Sequence, residues 1–177
     1  DNDGNGYIDD VHGWDFLHDD GSVFDGAFPD MHGTHIAGII AADGGNGIAV
    51  AGVAWKAPLL PLKVLGPDGV CSTWALLEAI DYAVRMGASI ACCTWSAAGY
   101  SSLLETAIAD SGMLFIVAAG NTGADNDLDP RYPACYDLPN IISVAASDWN
   151  DNLANFSSYG RESVHIAAPG HWIISTY

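Results

Sequence analysis

Apolar residues along the chain recur at two different spacings, one typical of helices and one typical of strands. Leu77, Ile80 and Val84 repeat at the helical period, and Ser102 and Glu105 have the spacing of a capping box. Helices are predicted over 32–43, over 72–86, and from 102 to about 110.

Uninterrupted apolar runs of strand length, separated by turn residues, predict strands. They cover 48–55, 59–65, 88–95, 113–119, 141–146 and 164–168. The other segments are predicted loops: 11–29, anchored by Trp14, Phe16, Phe24 and Phe28, the turn 66–69, and the polar stretch 122–140. Because helices alternate with apolar strands, we expect an α/β fold with a mostly parallel sheet and helices on both faces.

Functional residues of such a sheet gather at the carboxyl ends of its strands. Trp95–Ser96 and Gly120–Asn121 each come directly after a predicted strand. The amide of Asn121 is therefore expected to project where a ligand would lie. The alternative is that Gly-Asn serves only as a turn.

Composition narrows the possible functions. The 177 residues suit one domain, and the net charge of −17 argues against nucleic-acid partners and anionic membrane surfaces. No apolar run is long enough to span a bilayer. The cysteines have neither disulfide-scaffold nor zinc-site spacing, and free, packed thiols are predicted at Cys71, Cys92, Cys93 and Cys135.

Acidic residues are concentrated at the start of the chain, where nine of the 22 lie within the first 30 positions. Residues 1–9 place oxygen-bearing side chains and a glycine as the first half of an EF-hand loop does, but His12 stands where that loop has glutamate. We predict structural Ca²⁺ here, since so many like charges repel unless neutralised; the alternative is a solvated acidic turn. The predicted ligands are Asp1, Asp3, Asn5, Tyr7 and Asp9.

Two histidines, His32 and His35, lie three residues apart where a loop gives way to a predicted helix. A titratable ring held at a helix start is well placed to act as a general base, and His32 is expected to face outward and His35 inward. The same pair could instead be polar residues of a helix start or metal ligands. A metallohydrolase motif would require glutamate where Gly33 stands.

Residues 32–38 read HGTHIAG and residues 118–121 read AAGN. With both motifs in this order, the chain resembles the subtilisin-like serine proteases, the subtilases, over essentially its whole length. Supporting stretches lie at 46–54, 62–65, 132–134, 155–160 and 167–170. The resemblance implies a three-layer subtilisin-like fold, incomplete at both ends, and a mechanism of acyl transfer to a serine.

Carried over by motif, His32 matches the catalytic base and Asn121 matches the amide of the oxyanion hole. Thr94, Trp95 and Ser96 match the strand that pairs with extended substrate. Gly69, Val70 and Cys71 match the opposite wall of the substrate cleft.

Departures from the family pattern accompany these matches. The family order of aspartate, histidine and serine places the aspartate motif before residue 1 and the serine motif after Tyr177. This chain is therefore expected to be inactive alone. Ser96 and Cys71 stand where the family usually has glycines, which let the substrate backbone approach closely. A non-catalytic subtilase-like binding or scaffold domain is the alternative.

The expectation for the parent protein is a secreted, extracellular bacterial serine endopeptidase that acts as a monomer on polypeptide substrates, with no nucleic-acid or membrane partner. Residues 1–177 are expected to be the central part of one catalytic domain. Its acidic, calcium-loop-like segment is 1–29 and its sheet-and-helix core is 30–177.

Overall fold

A computed structural model describes residues 1, 3–26, 30–66 and 68–177, so Phe28 and Pro67 of the predicted loops lie outside the described residues. Its helices and strands run in the order β1 (Trp14–Asp15), α1 (Asp30–Ala41), β2 (Leu62–Lys63), α2 (Thr73–Arg85), β3 (Ile90–Cys93), α3 (Ser102–Asp110), β4 (Leu114–Ala118), β5 (Ile141–Ser147) and β6 (Ile166–Pro169). The chain divides into two compact units, Asp1–Arg85 with Ile174–Tyr177, and Met86–Ile173.

The first unit contains a small parallel sheet in which Trp14 of β1 lies opposite Leu62 of β2. Its apolar core forms around α2, where Tyr82 is fully buried. The ring of Tyr7 packs edge-on against Tyr82 at 4.7 Å and against Trp14 at 4.9 Å. These contacts attach the acidic N-terminal segment to α2.

The C-terminal residues of the chain return to α1 within the same unit. The Ser175 hydroxyl donates to the His35 carbonyl at 2.7 Å, and the Thr176 hydroxyl donates to the Thr34 carbonyl at 2.7 Å. The contact is close because Gly38 has no side chain: a Cβ there would lie 2.2 Å from Thr176 Oγ1. Gly38, the second glycine of the HGTHIAG motif, therefore lets the C-terminal segment pack on the helix that carries both histidines.

The strand predicted over 48–55 does not form. Instead the N–H groups of residues 52–54 donate to the carbonyls of Ile39, Ile40 and Ala42 at 2.8–3.0 Å. The last carbonyls of a helix have no partner within it, and this segment supplies one. The prediction was wrong because these apolar residues use their backbone donors to end α1 rather than to pair in a sheet.

Other boundaries also differ from those expected from sequence. The strand predicted over 59–65 shrinks to the two residues of β2, and β1 was predicted as loop. The N-cap of α3 is Ser101, whose hydroxyl accepts from the Leu104 N–H, so the capping box predicted from Ser102 is wrong. Glu105 accepts a hydrogen bond from the Tyr100 hydroxyl instead.

The second unit is built on a four-stranded parallel sheet in the order β3-β4-β5-β6. These strands confirm the apolar runs predicted from 88 onward. Phe115 and Val117 of β4 are 1% exposed, and Ile108 of α3 is equally buried. Asn140 ties α3 to the sheet because its side-chain amide donates to the carbonyls of Ile108 and Met113 at 2.8 and 3.0 Å.

All four cysteines, each in the described part of the chain, are free, as predicted, although Cys92 is exposed rather than packed. Burial raises the pKa of the Cys93 thiol to about 12. Among the described residues, none of the helices combines the length and apolar character needed to cross a bilayer.

We expect Gly38→Ala to destabilise the protein by about 1–3 kcal/mol, because the added methyl group must displace the C-terminal segment from α1. The measurement is guanidinium unfolding of the purified protein. Gly33→Ala on the same helix is the matched control, since a Cβ there meets nothing within 4 Å. An equal effect of the two substitutions would contradict the packing described.

Candidate active site

His32 lies in the first turn of α1 and is exposed, as predicted, while His35 one turn later is partly buried. The start of this helix is fixed by Asp30, whose buried carboxylate accepts from the Asp25 N–H at 2.7 Å. The Thr34 hydroxyl donates back to the Asp30 carbonyl at 3.2 Å. The His32 imidazole is thus presented to solvent from an anchored helix end.

In the second unit, the candidate residues lie at the carboxyl ends of two neighbouring strands. Thr94, Trp95 and Ser96 follow β3, and Gly120–Asn121 follows β4. A Cβ on Gly120 would lie 3.5 Å from Ser96 Oγ, so these two segments are side by side. Gly120 has φ +119°, a value that L side chains rarely adopt. The exposed Asn121 therefore follows a sharp bend at the sheet edge, next to Ser96.

Two residues that the sequence did not single out hold the backbone around Asn121. Ser158 donates its N–H to the Gly120 carbonyl at 2.9 Å, and its hydroxyl bonds to Thr122 Oγ1 at 3.0 Å. Asn126 is 1% exposed, and its side-chain amide donates to the Ala119 carbonyl at 2.8 Å. Both lie in segments without apolar periodicity, so only the three-dimensional structure reveals their role.

The remaining predicted substrate residues lie in the first unit, after β2. The backbone closes there in a turn, with the Gly66 N–H donating to the Val70 carbonyl at 3.0 Å. Gly69 has φ +72°, and Val70 is 62% exposed. Cys71 is partly buried and lines an open depression together with Val70, and burial raises the pKa of its thiol.

The acidic loop is organised by its own side chains. The Asp1 carboxylate accepts from the N–H groups of Gly4 at 2.7 Å and Gly6 at 3.1 Å. The Asn5 side-chain oxygen accepts from the Tyr7 N–H at 2.8 Å. These bonds curl the segment, but Asp1, Asp3 and Asp9 do not bring three carboxylate oxygens within 4.8 Å of one another.

Asp10, which was not among the predicted ligands, anchors this loop. Its carboxylate accepts from the Tyr82 hydroxyl at 2.7 Å and from the Asn5 amide at 2.7 Å. The hydrogen bond from Tyr82, followed by that from Asn5, holds the pKa of Asp10 below its usual value. The curled loop is therefore fastened to the buried face of α2.

The family model described as "Subtilase family" matches residues 2–177. The chain belongs to the subtilase family. Thermitase from Thermoactinomyces vulgaris is 40% identical over 170 residues, which cover 94% of this chain and 58% of the relative. Subtilisin BL from Lederbergia lenta is 40% identical over 149 residues, covering 82% of this chain and 53% of the relative.

Solved structures give the same assignment for the fold of this subtilase. A protease from Pseudoalteromonas arctica PAMC 21717 matches with a TM-score of 0.70 and 31% identity, over 78% of this chain and 43% of that one. A psychrophilic protease named S41 matches with a TM-score of 0.67 and 36% identity, over 82% of this chain and 54% of that one. The fold is thus subtilisin-like, and the chain spans about half the length of the curated relatives it matches.

A cluster of charges in the first unit of the subtilase was not foreseen from sequence. The Lys63 ammonium lies 3.2 Å from Asp15, 2.5 Å from Asp25 and 3.2 Å from Asp30. Asp15 is fully buried and also bonds to His18 Nδ1 at 2.8 Å. Asp15, His18 and Asp25 form the one group among the described residues with three metal-ligating atoms within 4.8 Å of one another. The Lys63 ammonium supplies the positive charge that faces the Asp15 and Asp25 carboxylates of this group.

The ionisation of this cluster follows from its contacts. Burial raises the pKa of Asp15, but hydrogen bonds from His18, the Leu17 N–H and Lys63 outweigh it and hold that pKa below its usual value. Burial lowers the pKa of Lys63, but its bonds to Asp25, Asp30 and Asp15 outweigh that effect and raise it. Both groups are therefore charged at neutral pH.

We expect Lys63→Met to destabilise the subtilase by about 3–5 kcal/mol, because it leaves the buried Asp15 and Asp30 carboxylates without their cation. Chemical unfolding measures the effect. Arg85→Met is the control, since it removes an exposed i,i+4 ion pair with Asp81 and is expected to cost no more than about 0.5 kcal/mol. A Lys63→Met variant as stable as the control would contradict a structural role for the cluster.

The same cluster predicts how stability depends on pH. Because the folded state lowers the pKa of Asp15, its contribution is present above the unfolded pKa of about 3.9 and is lost as the pH falls through the folded pKa. The free energy of unfolding should decline in acid, with a shallower decline in Lys63→Met. If the free energy of unfolding declined equally in acid for the wild type and Lys63→Met, Asp15 and Lys63 would not be coupled.

Proposed function

We propose that the protein to which this chain belongs is a serine endopeptidase that cleaves polypeptides through an acyl-enzyme. The observation that carries the proposal is the subtilase match over residues 2–177, in which the HGTHIAG histidine is exposed on the first turn of α1. Residues 1–177 are proposed to be the central part of a single catalytic domain. The serine and aspartate of the triad are proposed to come from parts of the protein outside these residues.

In this mechanism His32 is the general base. Its imidazole takes the proton from the serine hydroxyl as the serine attacks the scissile carbonyl, and then returns the proton to the leaving amine. The exposure of His32 supports the proposal, because the ring must reach both serine and substrate. The hydrogen bonds from Ser175 and Thr176 to α1 support it too, since they limit movement of the helix end.

Asn121 is the proposed oxyanion donor. Its amide would donate a hydrogen bond to the negative oxygen of the tetrahedral intermediate, where charge develops during the reaction. The bonds that Ser158 and Asn126 donate to the Gly120 and Ala119 carbonyls, just before Asn121, support this role. A donor held in place before reaction stabilises charge without reorganising.

Thr94, Trp95 and Ser96 are proposed to pair with the extended backbone of the substrate, and Gly69, Val70 and Cys71 to form the opposing wall of its binding cleft. The position of residues 94–96 next to Asn121 supports the first assignment. Ser96 and Cys71 each carry a Cβ where the family usually has glycine, and we propose that each reduces the space for the substrate backbone at its own segment.

The second candidate function is a non-catalytic subtilase-like domain that binds polypeptides. The side chains of Ser96 and Cys71 at positions where glycine is usual are the observation that favours it.

We further propose that the peptidase is exported by a bacterium and acts as a monomer on polypeptides, with no nucleic-acid or membrane partner. The net charge of −17 supports the absence of a nucleic-acid partner.

Calcium is the proposed structural cofactor of the acidic loop, held by Asp1, Asp3, Asn5, the Tyr7 carbonyl and Asp9. The hydrogen bonds that the Asp1 carboxylate accepts from the Gly4 and Gly6 N–H groups support the proposal, because they already curl the loop. Carboxylates and carbonyls are the ligands that Ca²⁺ prefers. Because Asp1, Asp3 and Asp9 do not bring three carboxylate oxygens together, binding requires the loop to close further around the ion.

The test of the catalytic proposal is hydrolysis of a chromogenic peptide by the full-length protein. His32→Ala is expected to lower kcat by at least about 10,000-fold, because the serine loses its base. Asn121→Ala is expected to lower kcat by about 100- to 1,000-fold with little change in KM, a magnitude taken from subtilisin, which is a member of the same family.

His12→Ala and Asn46→Ala are the matched controls, since both replace exposed residues outside the proposed site. They are expected to retain the wild-type rate. Full activity of His32→Ala would refute its role as the base. A full-length protein without peptidase activity that still binds unfolded polypeptides would instead support the non-catalytic alternative.

The calcium proposal predicts that a calcium chelator lowers the melting temperature of the wild-type protein. Asp1→Ala with Asp3→Ala should have the same melting temperature with or without added Ca²⁺, because the ion no longer binds. Asp110→Ala, which removes an exposed carboxylate at the end of α3, is the control and should keep the full response. A wild-type protein whose melting temperature ignores Ca²⁺ would contradict the site.

A further inference from the structure

The second unit exposes an aromatic cluster that takes no part in the proposed proteolytic machinery. Trp149 follows β5, and His171 and Trp172 follow β6. The two tryptophans are 72% and 77% exposed. Together with Phe156, these residues form what we call the aromatic patch.

The rings of the aromatic patch converge on one imidazole. Trp149 stacks on His171 with centroids 5.7 Å apart and planes only 5° from parallel. Trp172 lies 5.5 Å from the same ring, and Phe156 meets it edge-on at 5.7 Å. The two exposed indoles are therefore neighbours on one surface, joined through His171.

The backbone fixes both indoles. The Asp148 carboxylate accepts from the N–H groups of Asn150 at 2.8 Å and Asn152 at 3.0 Å, which ties the turn bearing Trp149. Trp172 has φ +57°, in the left-handed region that is unfavourable for a bulky side chain. Because this tryptophan stays exposed, burial does not offset that strain. Two neighbouring exposed indoles, one of them on a strained backbone, indicate a surface built to meet a ligand.

The polar surroundings of the aromatic patch narrow the chemistry of that ligand. Asn150, Asp151 and Asn152 are exposed on the turn beside Trp149 and offer carboxylate and amide groups. From residue 141 to 177, Arg161 is the only lysine or arginine, and its exposed side chain lies beside Glu162. An anionic ligand would be repelled here, whereas a neutral ligand rich in hydroxyl donors would be matched.

We propose that the aromatic patch binds a neutral polysaccharide made of β-linked pyranose units. A pyranose ring with equatorial hydroxyls has a flat C–H face that stacks on an indole, and a rim of hydroxyls that donate to carboxylates and amides. The two neighbouring indoles suit successive units of an extended chain. An apolar peptide segment would leave the polar rim of the turn unpaired, which is unfavourable.

The experiment titrates the full-length protein with cellohexaose and with chitohexaose, both β-linked, and with the α-linked maltohexaose. Intrinsic tryptophan fluorescence and isothermal calorimetry give the dissociation constants. At least one β-linked ligand is expected to bind, at least about 10-fold more tightly than maltohexaose. Trp149→Ala with Trp172→Ala is expected to weaken that binding at least about 10-fold, as loss of two stacking contacts requires.

Trp74→Ala is the matched control, because Trp74 is 68% exposed but lies on α2 in the other unit. It is expected to bind as the wild type does. Unchanged melting temperatures would show that the variants fold, and each single tryptophan variant should show an intermediate loss. This test does not depend on peptidase activity.

Three results would overturn the proposal. One is no binding of either β-linked ligand, and another is equal loss in Trp74→Ala and the double variant. The third is a double variant that leaves saccharide binding unchanged but raises KM for polypeptides, which would assign the patch to peptide recognition. Binding of cellohexaose alone or chitohexaose alone would support the proposal and identify the type of sugar unit.

Discussion

A single ammonium group joins four segments of the first unit. Lys63 on β2 bonds to carboxylates from three other segments: Asp15 on β1, Asp25 in the following loop and Asp30 at the start of α1. Carboxylates as buried as Asp15 and Asp30 are costly unless a cation accompanies them. The position of α1, and with it the position of His32, therefore depends on an ion cluster rather than on apolar packing of the helix.

Gly38 is the second residue on which the position of α1 depends. The absence of a side chain there lets Ser175 and Thr176 reach the α1 backbone, while residues 52–54 pair with its last carbonyls. The helix is thus held at its start by charge, along its face by hydroxyls and at its end by backbone donors. Such fixation supports the proposed task of His32, because a general base must stay within hydrogen-bond reach of the proton it takes.

Sequence reasoning predicted the second unit better than the first. The central strands β4 and β5 are apolar runs in which alternate residues are buried in one parallel sheet, and the sequence records that pattern directly. Residues 48–55 carry a similar apolar pattern, but the N–H groups of residues 52–54 donate to carbonyls at the end of α1, and the apolar pattern does not encode that choice. Asp15 and Lys63 were overlooked because an ion cluster built from distant segments leaves no characteristic spacing of charged residues in the sequence. The HGTHIAG and AAGN motifs, in contrast, identified the family that the comparisons show.

The central claim is that His32 serves a nucleophilic serine in the full-length protein. The most direct test is labelling of that protein with a fluorophosphonate probe, followed by mass spectrometry of the modified peptide. We expect stoichiometric labelling of one serine outside residues 1–177 in the wild type, and loss of labelling in His32→Ala, because the serine then lacks its base. A folded full-length protein that is not labelled, or a His32→Ala variant labelled as fast as the wild type, would contradict the account.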